Sequence, residues 1–382
     1  MLDSLQKAFR YEIRSITHSW YKILLISFLP LFVFWFITSV FQHGVLRDLP
    51  LTVVDNDHSK LSELLLRNIE ASPTIHIVSH ATDIKEALYF IKKNAVYGVV
   101  IIPSHFEKDI FLQKKPQVTA MLNTQYILIG KILTSALNTV STQSAAQIEF
   151  FKHLYEAQDI HTSLSSIIPI GIQITPFFNT YKNYYYFLVS ALLPAIWQIF
   201  IVIAMLVSIG TLFKSKQTAY LFDTSGNTTA TLIGMMLPYT LSFTLMGIGF
   251  VLYLFSHWVF QGSLSVLILG IFLTTVAYQI IALLLFSTVF DYARSLSLGA
   301  VYTAPAFAFL GITFPIYNMN GFALFWRDIL PVSHYTQLQI SQANYGINVW
   351  HELGTLGVLL SFWLLFIPVV WRFKHKLKGL RA

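Results

Sequence analysis

The spacing of hydrophobic and polar positions divides the chain into blocks. Six stretches contain no Asp, Glu, Lys or Arg: roughly 23–42, 185–212, 230–256, 264–289, 296–317 and 353–371. A helix that crosses a bilayer needs about 20 apolar residues at 1.5 Å per residue, so the pattern predicts six transmembrane helices. Ahead of the first, Leu5, Phe9, Ile13, Ile16 and Trp20 recur at helical spacing, while Lys7, Arg10, Glu12, Arg14 and Thr17 occupy the other faces. This predicts an amphipathic helix over 1–22 lying in the membrane interface. The apolar run that follows contains Pro30 and has no small-x-small cleavage site, so it reads as an uncleaved anchor.

Between 45 and 182 the period changes. Short apolar runs at 51–55, 74–79, 97–102 and near 117–122 predict strands. Segments 58–71, 84–93, 104–112 and 126–156 predict helices, the first with Leu61, Leu64, Leu65 and Ile69 on one face. Strands alternating with helices predict a small α/β domain between the first two spans. The run Asp55-Asn56-Asp57-His58-Ser59 superficially resembles a metal loop, but the Gly and Glu that an EF-hand requires do not follow. It reads as a strand-to-helix turn in which Asp57 or Ser59 caps the next helix. His76 and His80 lie on a strand and its exit, and neither HExxH nor G-x-S-x-G occurs. A binding or docking role is expected of this domain.

Composition sharpens the membrane reading. Of 382 residues, 55% are hydrophobic and 11% charged, with a mean hydropathy of +0.61. A soluble domain carries about 25% charged residues, so an ordinary cytosolic enzyme is excluded. The absence of Cys excludes disulfides, thiolate metal sites and Cys nucleophiles. The formal charge of +7 lies wholly outside 45–182, a block with twelve basic and twelve acidic residues. With the N-terminus inside, the cytoplasmic side receives Lys7, Arg10, Arg14, Lys22, Lys214, Lys216, Arg294, Arg372, Lys374, Lys376, Lys378 and Arg381, against Asp3, Glu12, Asp223 and Asp291. The opposite side, apart from 45–182, receives only Arg327, Asp328 and Glu352. By the positive-inside rule both termini are cytoplasmic and 45–182 is outside. The basic residues report topology, and no nucleic-acid partner is expected.

Six uncharged spans leave nothing within the bilayer to titrate or bind an ion, so ion-coupled transport is disfavoured. The spans offer hydroxyls, Trp197, Gln198, Gln279 and aromatics. No GxxxxGK[ST] occurs, so energy for uphill transport would come from a partner. On the cytoplasmic side the loop 213–229 offers Lys214, Lys216, Gln217, Thr218, Tyr220, Leu221, Phe222 and Asp223.

At this point the chain resembles the permease subunits of type-2 ABC exporters, in the bacterial subgroup with a large extracytoplasmic domain after the first helix. Four stretches carry the likeness: Leu49 to Ser59 (LPLTVVDNDHS) with Ala71-Ser72-Pro73; Pro176 to Tyr184 (PFFNTYKNY); Lys216-Gln217-Thr218 through Gly234-Met235-Met236-Leu237-Pro238-Tyr239; and Gly311 to Ile316 (GITFPI) with Leu330 to Tyr335 (LPVSHY). The likeness covers nearly the whole chain in order. It departs in two places. Many members carry Glu at the start of the cytoplasmic loop, where Asp223 is the only acid here. Many have Gly-Lys entering span three, where this chain has Gly234-Met235.

The resemblance implies an α-helical polytopic fold with an elbow helix over 1–22 (Phe9, Arg10, Ile13 and Arg14 on it) and a first span at 23–42. An extracytoplasmic α/β domain at 45–182 follows. Spans two to six lie within 183–372, with short outer-leaflet helices at 318–352 and a basic tail at 373–382. It implies an ATPase subunit docking on the loop 213–229, a second permease, and a pathway flanked by spans two and five, for which Trp197, Gln198, Tyr302, Phe307, Phe309 and Phe314 are candidates. The chain would bind no cofactor itself; ATP and Mg would sit in the ATPase. A periplasmic adaptor, an amphipathic or hydrophobic substrate and a place in the bacterial inner membrane complete the expectation. The rival reading is a membrane-anchored envelope sensor or scaffold whose outer domain binds a ligand or protein.

Overall fold

The computed structural model describes every residue except His43, Gln113, 156–182, Lys216, Ala219, Tyr220, 223–225, 257–259, Thr313 and Ala382. The chain divides into two units, Met1–Gly44 with Pro176–Ala382, and Val45–Thr175. In chain order the first unit begins with α1 (Leu2–Thr17), α2 (Trp20–Ile26) and α3 (Phe28–Val40). The second carries β1 (Leu49–Asp55), α4 (Lys60–Glu70), β2 (Ile75–His80), α5 (Ile84–Lys92), β3 (Gly98–Ile102), α6 (Phe106–Phe111), β4 (Thr119–Leu122) and α7 (Ile127–Tyr155). The first unit resumes with α8 (Tyr184–Lys214), α9 (Thr228–Leu254), α10 (Leu264–Val289), α11 (Tyr292–Thr303), α12 (Ala306–Phe309), α13 (Gly321–Asp328), α14 (Pro331–Ile340), α15 (Val349–Ser361) and α16 (Phe366–Arg381).

In the second unit the strands form one sheet of order β2-β1-β3-β4, parallel except for β4. Alternate residues of a strand point to opposite faces. Leu49, Leu51, Val100 and Ile102 accordingly share one core with Leu65 and Ile69 of α4, Phe106 of α6, and Leu133 and Val140 of α7. Val54, Val99 and Ile101 face the other way, onto Ala87, Phe90 and Ile91 of α5. β3 is therefore buried at every position, which explains its unbroken apolar sequence. The remainder of the stretch expected to fold here, 156–182, lies outside the described residues.

The turn after β1 is held by side chains. Asp55 Oδ1 accepts the N–H groups of Asp57 and His58 at 3.0 and 3.1 Å, and Asp55 Oδ2 accepts the Ser62 hydroxyl at 2.8 Å. Ser59 caps α4, accepting from the Ser62 N–H at 3.1 Å, and Ser62 Oγ accepts from the Ser59 N–H at 2.9 Å. Of the two caps expected, Asp57 serves a different helix: it accepts the Glu107 N–H at 3.0 Å at the start of α6. Partial desolvation pushes its pKa up, but hydrogen bonds from Ser59 and the N–H groups of residues 105–107 prevail and hold the carboxyl below its usual value. His76 is a clamp between β2 and α4: its Nδ1 lies 2.9 Å from Glu70 Oε1, and Glu70 Oε2 accepts the Ile77 N–H at 2.7 Å.

In the first unit, five helices among the described residues are long and apolar enough to cross a membrane: Trp20–Val40, Tyr185–Lys214, Thr228–Leu254, Leu264–Val289 and Val349–Gly379. The first starts at Trp20, not at 23, and bends at Ser27, whose φ and ψ of −132° and −79° leave the helical region. The fifth expected span, 296–317, is corrected by the structure. It begins at Tyr292, where Asp291 caps by accepting the Arg294 N–H at 2.8 Å. It breaks at Pro305, which has no N–H to give. Ala304, Pro305 and Leu310 nevertheless keep right-handed helical angles, and Gly311 at φ +84° ends the run. The segment 292–310 is thus a proline-broken helix about 28 Å long at 1.5 Å per residue, and Ile316–Asn318 forms a separate 3-10 turn beyond it.

α8 and α10 form the buried centre of this unit, and polar side chains tie them to the shorter helices. Tyr278 Oη accepts the N–H of Val332 at 3.0 Å, satisfying a first-turn donor of α14. Gln339 Nε2 donates to the Ser190 carbonyl at 2.8 Å. Thr240 donates to Gln279 Oε1 at 2.8 Å. Glu352, expected as an outer charge, is buried and accepts a short hydrogen bond from Ser341.

Two outcomes are expected for the second unit. Ser59→Ala removes the α4 cap and costs about 1 kcal/mol, read as faster amide exchange across 59–66 in the full chain. The depressed Asp57 carboxyl contributes stability that is complete above its unfolded value of 3.8 and lost as pH falls below it. Asp57→Asn therefore shows faster exchange at α6 at neutral pH and a smaller further change on acidification than the unsubstituted chain.

Candidate functional site

One end of the first unit gathers the features that chemistry could act through. α1 lies along α9 with Ser4, Ala8, Glu12 and Ile16 inward, one residue per turn. Small residues permit a close approach. A Cβ on Gly234 of α9 would stand 2.5 Å from the Leu5 carbonyl oxygen and 2.8 Å from Ala8 Cβ. The apolar stripe read from the sequence coincides with this face only at Ile16: Ile13 and Trp20 are exposed and Phe9 is half-buried, with Arg10 and Arg14 exposed beside them. An interfacial helix needs both faces, one for protein and one for lipid.

Glu12 departs from expectation. The helical pattern assigns it to a polar face, whereas it is fully buried, and so is Lys22 of α2. Lys22 Nζ lies 3.1 Å from Glu12 Oε1 and donates to Ser15 Oγ at 2.8 Å. Tyr239 of α9 donates to the same Glu12 oxygen at 2.7 Å. Three elements thus converge on one carboxylate, and Glu12 Oε2 has no partner among the described residues. The signal was invisible because Glu12 and Lys22 are separated by the break between α1 and α2, and Tyr239 by more than two hundred residues.

The segment after α8 is anchored at the same end. Thr218, Leu221 and Phe222 are buried, while Lys214 and Gln217 are exposed; Lys216, Tyr220 and Asp223 lie outside the described residues. Phe213 meets Phe286, Phe290 and Phe373 with centroids 5.0, 5.6 and 5.9 Å away, and Phe222 lies 6.4 Å from Phe373. Tyr11 of α1 donates to Gln217 Oε1 at 2.6 Å. Arg372 donates to the Ser287 carbonyl at 3.3 Å, and Lys376 Nζ sits 5.6 Å over the Phe290 ring. The N-terminal helix, the end of α8, the α10–α11 turn and α16 therefore share one cationic end of the bundle.

The path candidates fall into two groups. Trp197 and Gln198 are buried: Trp197 packs 6.1 Å from Tyr335, and Gln198 Nε2 donates to the Thr303 carbonyl at 3.2 Å. Tyr302 is likewise committed, its hydroxyl donating to the Ile329 carbonyl at 2.5 Å. Phe307 and Phe314 are exposed, and Phe309 stands 6.5 Å from Phe322.

Residues 21–372 match the family described as ABC-2 family transporter protein. The chain belongs to the ABC-2 transporter family. No curated protein matches it. As a member it is a multi-pass membrane protein and a permease subunit of an ABC transporter. The family match begins at Tyr21, so it takes in Lys22 but not α1, and the contacts of Glu12 are a finding of the structure alone. The Gly234-Met235 pair has a local reason in this permease. Gly234 admits the α1 backbone, and Met235 is fully buried in the bundle.

Breaking a buried ion pair from one side is costlier than removing both charges, by about 3–5 kcal/mol against near neutrality. Lys22→Met is expected to lower the melting temperature of the purified ABC-2 permease more than Glu12→Gln with Lys22→Met together. Gly234→Ala should displace α1 at about 1–3 kcal/mol, read as increased protease access to α1.

Proposed function

We propose that this permease is the membrane subunit of an ATP-driven exporter, powered by a separate ATPase subunit seated on the cationic end of the bundle. The observation that carries the reading is the Tyr11–Gln217 hydrogen bond, beside the Glu12–Lys22–Tyr239 cluster. A push on the segment after α8 reaches α1 directly through Tyr11, and α1 is tied to α2 and α9 through Glu12. Thr218, Leu221 and Phe222 face inward and serve as the anchor of that segment. The surface for an ATPase is then Lys214 and Gln217, with Arg10 and Arg14 of α1 alongside.

Orientation follows from charge. The basic residues of α1, α8 and α16 meet at one end, which the positive-inside rule assigns to the cytoplasm. Counting the broken helix 292–310 as a crossing gives six, with both termini cytoplasmic and the Val45–Thr175 unit on the far side, in the periplasm of a bacterial inner membrane. There the sheet unit would dock an adaptor protein or a second permease's copy of itself. The uncharged spans support an amphipathic or hydrophobic substrate over an ion. Two conformations with different substrate affinity, alternately favoured by the ATPase, suffice for transport.

The test is purification of the tagged permease from its native membrane, followed by identification of any ABC ATPase that copurifies. The expected result is a stable complex whose ATP turnover falls on Gln217→Ala with Tyr11→Phe while the permease stays folded. Purification of the permease alone, with turnover indifferent to these changes, would instead support the membrane-anchored sensor or scaffold.

A further inference from the structure

The last of the five membrane-crossing helices, Val349–Gly379, runs through α15, a 3-10 turn at Phe362–Leu365 and α16. The inward face of α16 is fixed. Val369, Phe373 and Leu377 are buried at steps of four, Arg372 donates to the Ser287 carbonyl, and Lys376 Nζ sits over the Phe290 ring. Another face stays open. Leu360, Leu364, Ile367, Trp371, Lys374 and Lys378 are all exposed and follow one another at steps of four, three, four, three and four. That spacing keeps successive side chains on one side of a helix.

The stripe changes chemistry once, at Trp371: aliphatic side chains precede it and lysines follow it. Leu360 and Trp371 lie about 16 Å apart at 1.5 Å per residue, roughly half of a hydrocarbon core about 30 Å thick. Trp settles at the boundary between that core and the head groups. The stripe therefore matches one leaflet in depth, with aliphatic side chains against acyl chains, the indole at the boundary and ammonium groups among the phosphates. Lys374 and Lys378 stand one turn apart, close enough for one head group to meet both. Neither forms an ion pair with a described residue. No Asp or Glu follows Glu352 in the sequence, so α16 supplies no counter-charge of its own. A water-soluble protein could reach the lysines but not the Leu360–Ile367 part of the same face, so the occupant that fits the whole stripe is a lipid.

We propose that this stripe binds an anionic phospholipid, with an acyl chain along Leu360, Leu364 and Ile367 and the head group between Lys374 and Lys378. Because the inward face of α16 is packed, the two lysines are a fixed pair and not a loose basic tail. The site stands on the membrane fold and not on ATP-driven export, because binding is read without nucleotide or ATPase.

The test uses the full chain in phosphatidylcholine nanodiscs. The probe is phosphatidylglycerol with a photoreactive acyl chain, and phosphatidylcholine with the same chain is the neutral reference. Crosslinking to the peptide that carries residues 360–371 is read by mass spectrometry. A higher yield with phosphatidylglycerol is expected, declining as salt is raised. Lys374→Gln with Lys378→Gln should reduce that preference about fivefold for each lysine removed. Unchanged phosphatidylcholine crosslinking in the same variant shows that the stripe itself is intact. Lys7→Gln with Arg294→Gln removes the same charge from exposed positions off the stripe and should leave the preference in place. Equal yields from the two lipids in the unsubstituted chain, or an equal loss in the Lys7/Arg294 variant, overturns the proposal. The chain has no Cys, so Leu364→Cys tests the rival occupant cleanly: disulfide-linked dimers in the membrane would show a second copy covering the stripe, and would overturn it as well.

Discussion

A carboxylate buried at the edge of a membrane bundle sets the frame for the rest of the first unit. Removing an ion from water costs several kcal/mol even after relaxation, and mutual attraction offsets this only with good geometry and further hydrogen bonds. Glu12 has both on one oxygen, with Lys22 Nζ at 3.1 Å and Tyr239 at 2.7 Å. A shift of α1 by one turn along α9 would leave Glu12 or Lys22 unpaired in an apolar setting. The cluster thus fixes register, which is the best attested use of buried ion pairs. The Gly234 contact acts in the same direction, since backbone meets backbone there and no side chain can yield. α1, the start of the first span and α9 are constrained to move together.

That constraint gives the aromatic cluster around Phe373 its significance. Phe213, Phe222, Phe286 and Phe290 converge on Phe373 of α16, so the end of α8 and the last helix are also one packed group. Tyr11 links α1 to the segment after α8 by its hydrogen bond to Gln217. A neutral hydrogen bond is worth about 0.5–1.5 kcal/mol, so this link can open and re-form without large cost. The broken helix 292–310 adds a second point of compliance at Pro305.

Much of this architecture was legible because it is periodic. Uncharged runs of helical length located five candidate spans, and short apolar runs such as Gly98–Ile102 marked the strands. What escaped was determined by contact between distant segments. The helical wheel put Glu12 on a polar face, since nothing local announces Lys22 and Tyr239 as its partners. The fifth span was read through Pro305 and Gly311 as one run, because absence of charge is blind to backbone breaks. Leu221 and Phe222 were expected among the residues the loop offers to an ATPase, whereas apolar side chains next to a bundle end fold back into it. Gln198 and Tyr302 were singled out as polar groups in apolar helices. The structure gives each a carbonyl partner, the usual fate of a buried donor.

The two ends of the bundle now contrast in kind. At one, basic side chains, a buried ion pair and a hydrogen-bonded joint present surfaces suited to a protein partner that pushes. At the other, a pocket lined by Tyr, Trp, Ser and Gln adjoins an exposed aromatic track of α3. α9 connects them, carrying Gly234 and Tyr239 against α1 near its start and Tyr253 and Leu254 in the pocket at its end. A displacement of α1 therefore acts on a helix whose far terminus shapes the pocket wall, with Thr240–Gln279 bonding it to the central α10 on the way. Pro238 lies between the Gly234 and Tyr239 contacts, where a missing N–H weakens the ladder of α9. A helix so jointed transmits tilt better than translation. A change at the cationic end would then reach the pocket chiefly as a change in the angle of Tyr253 toward Trp35.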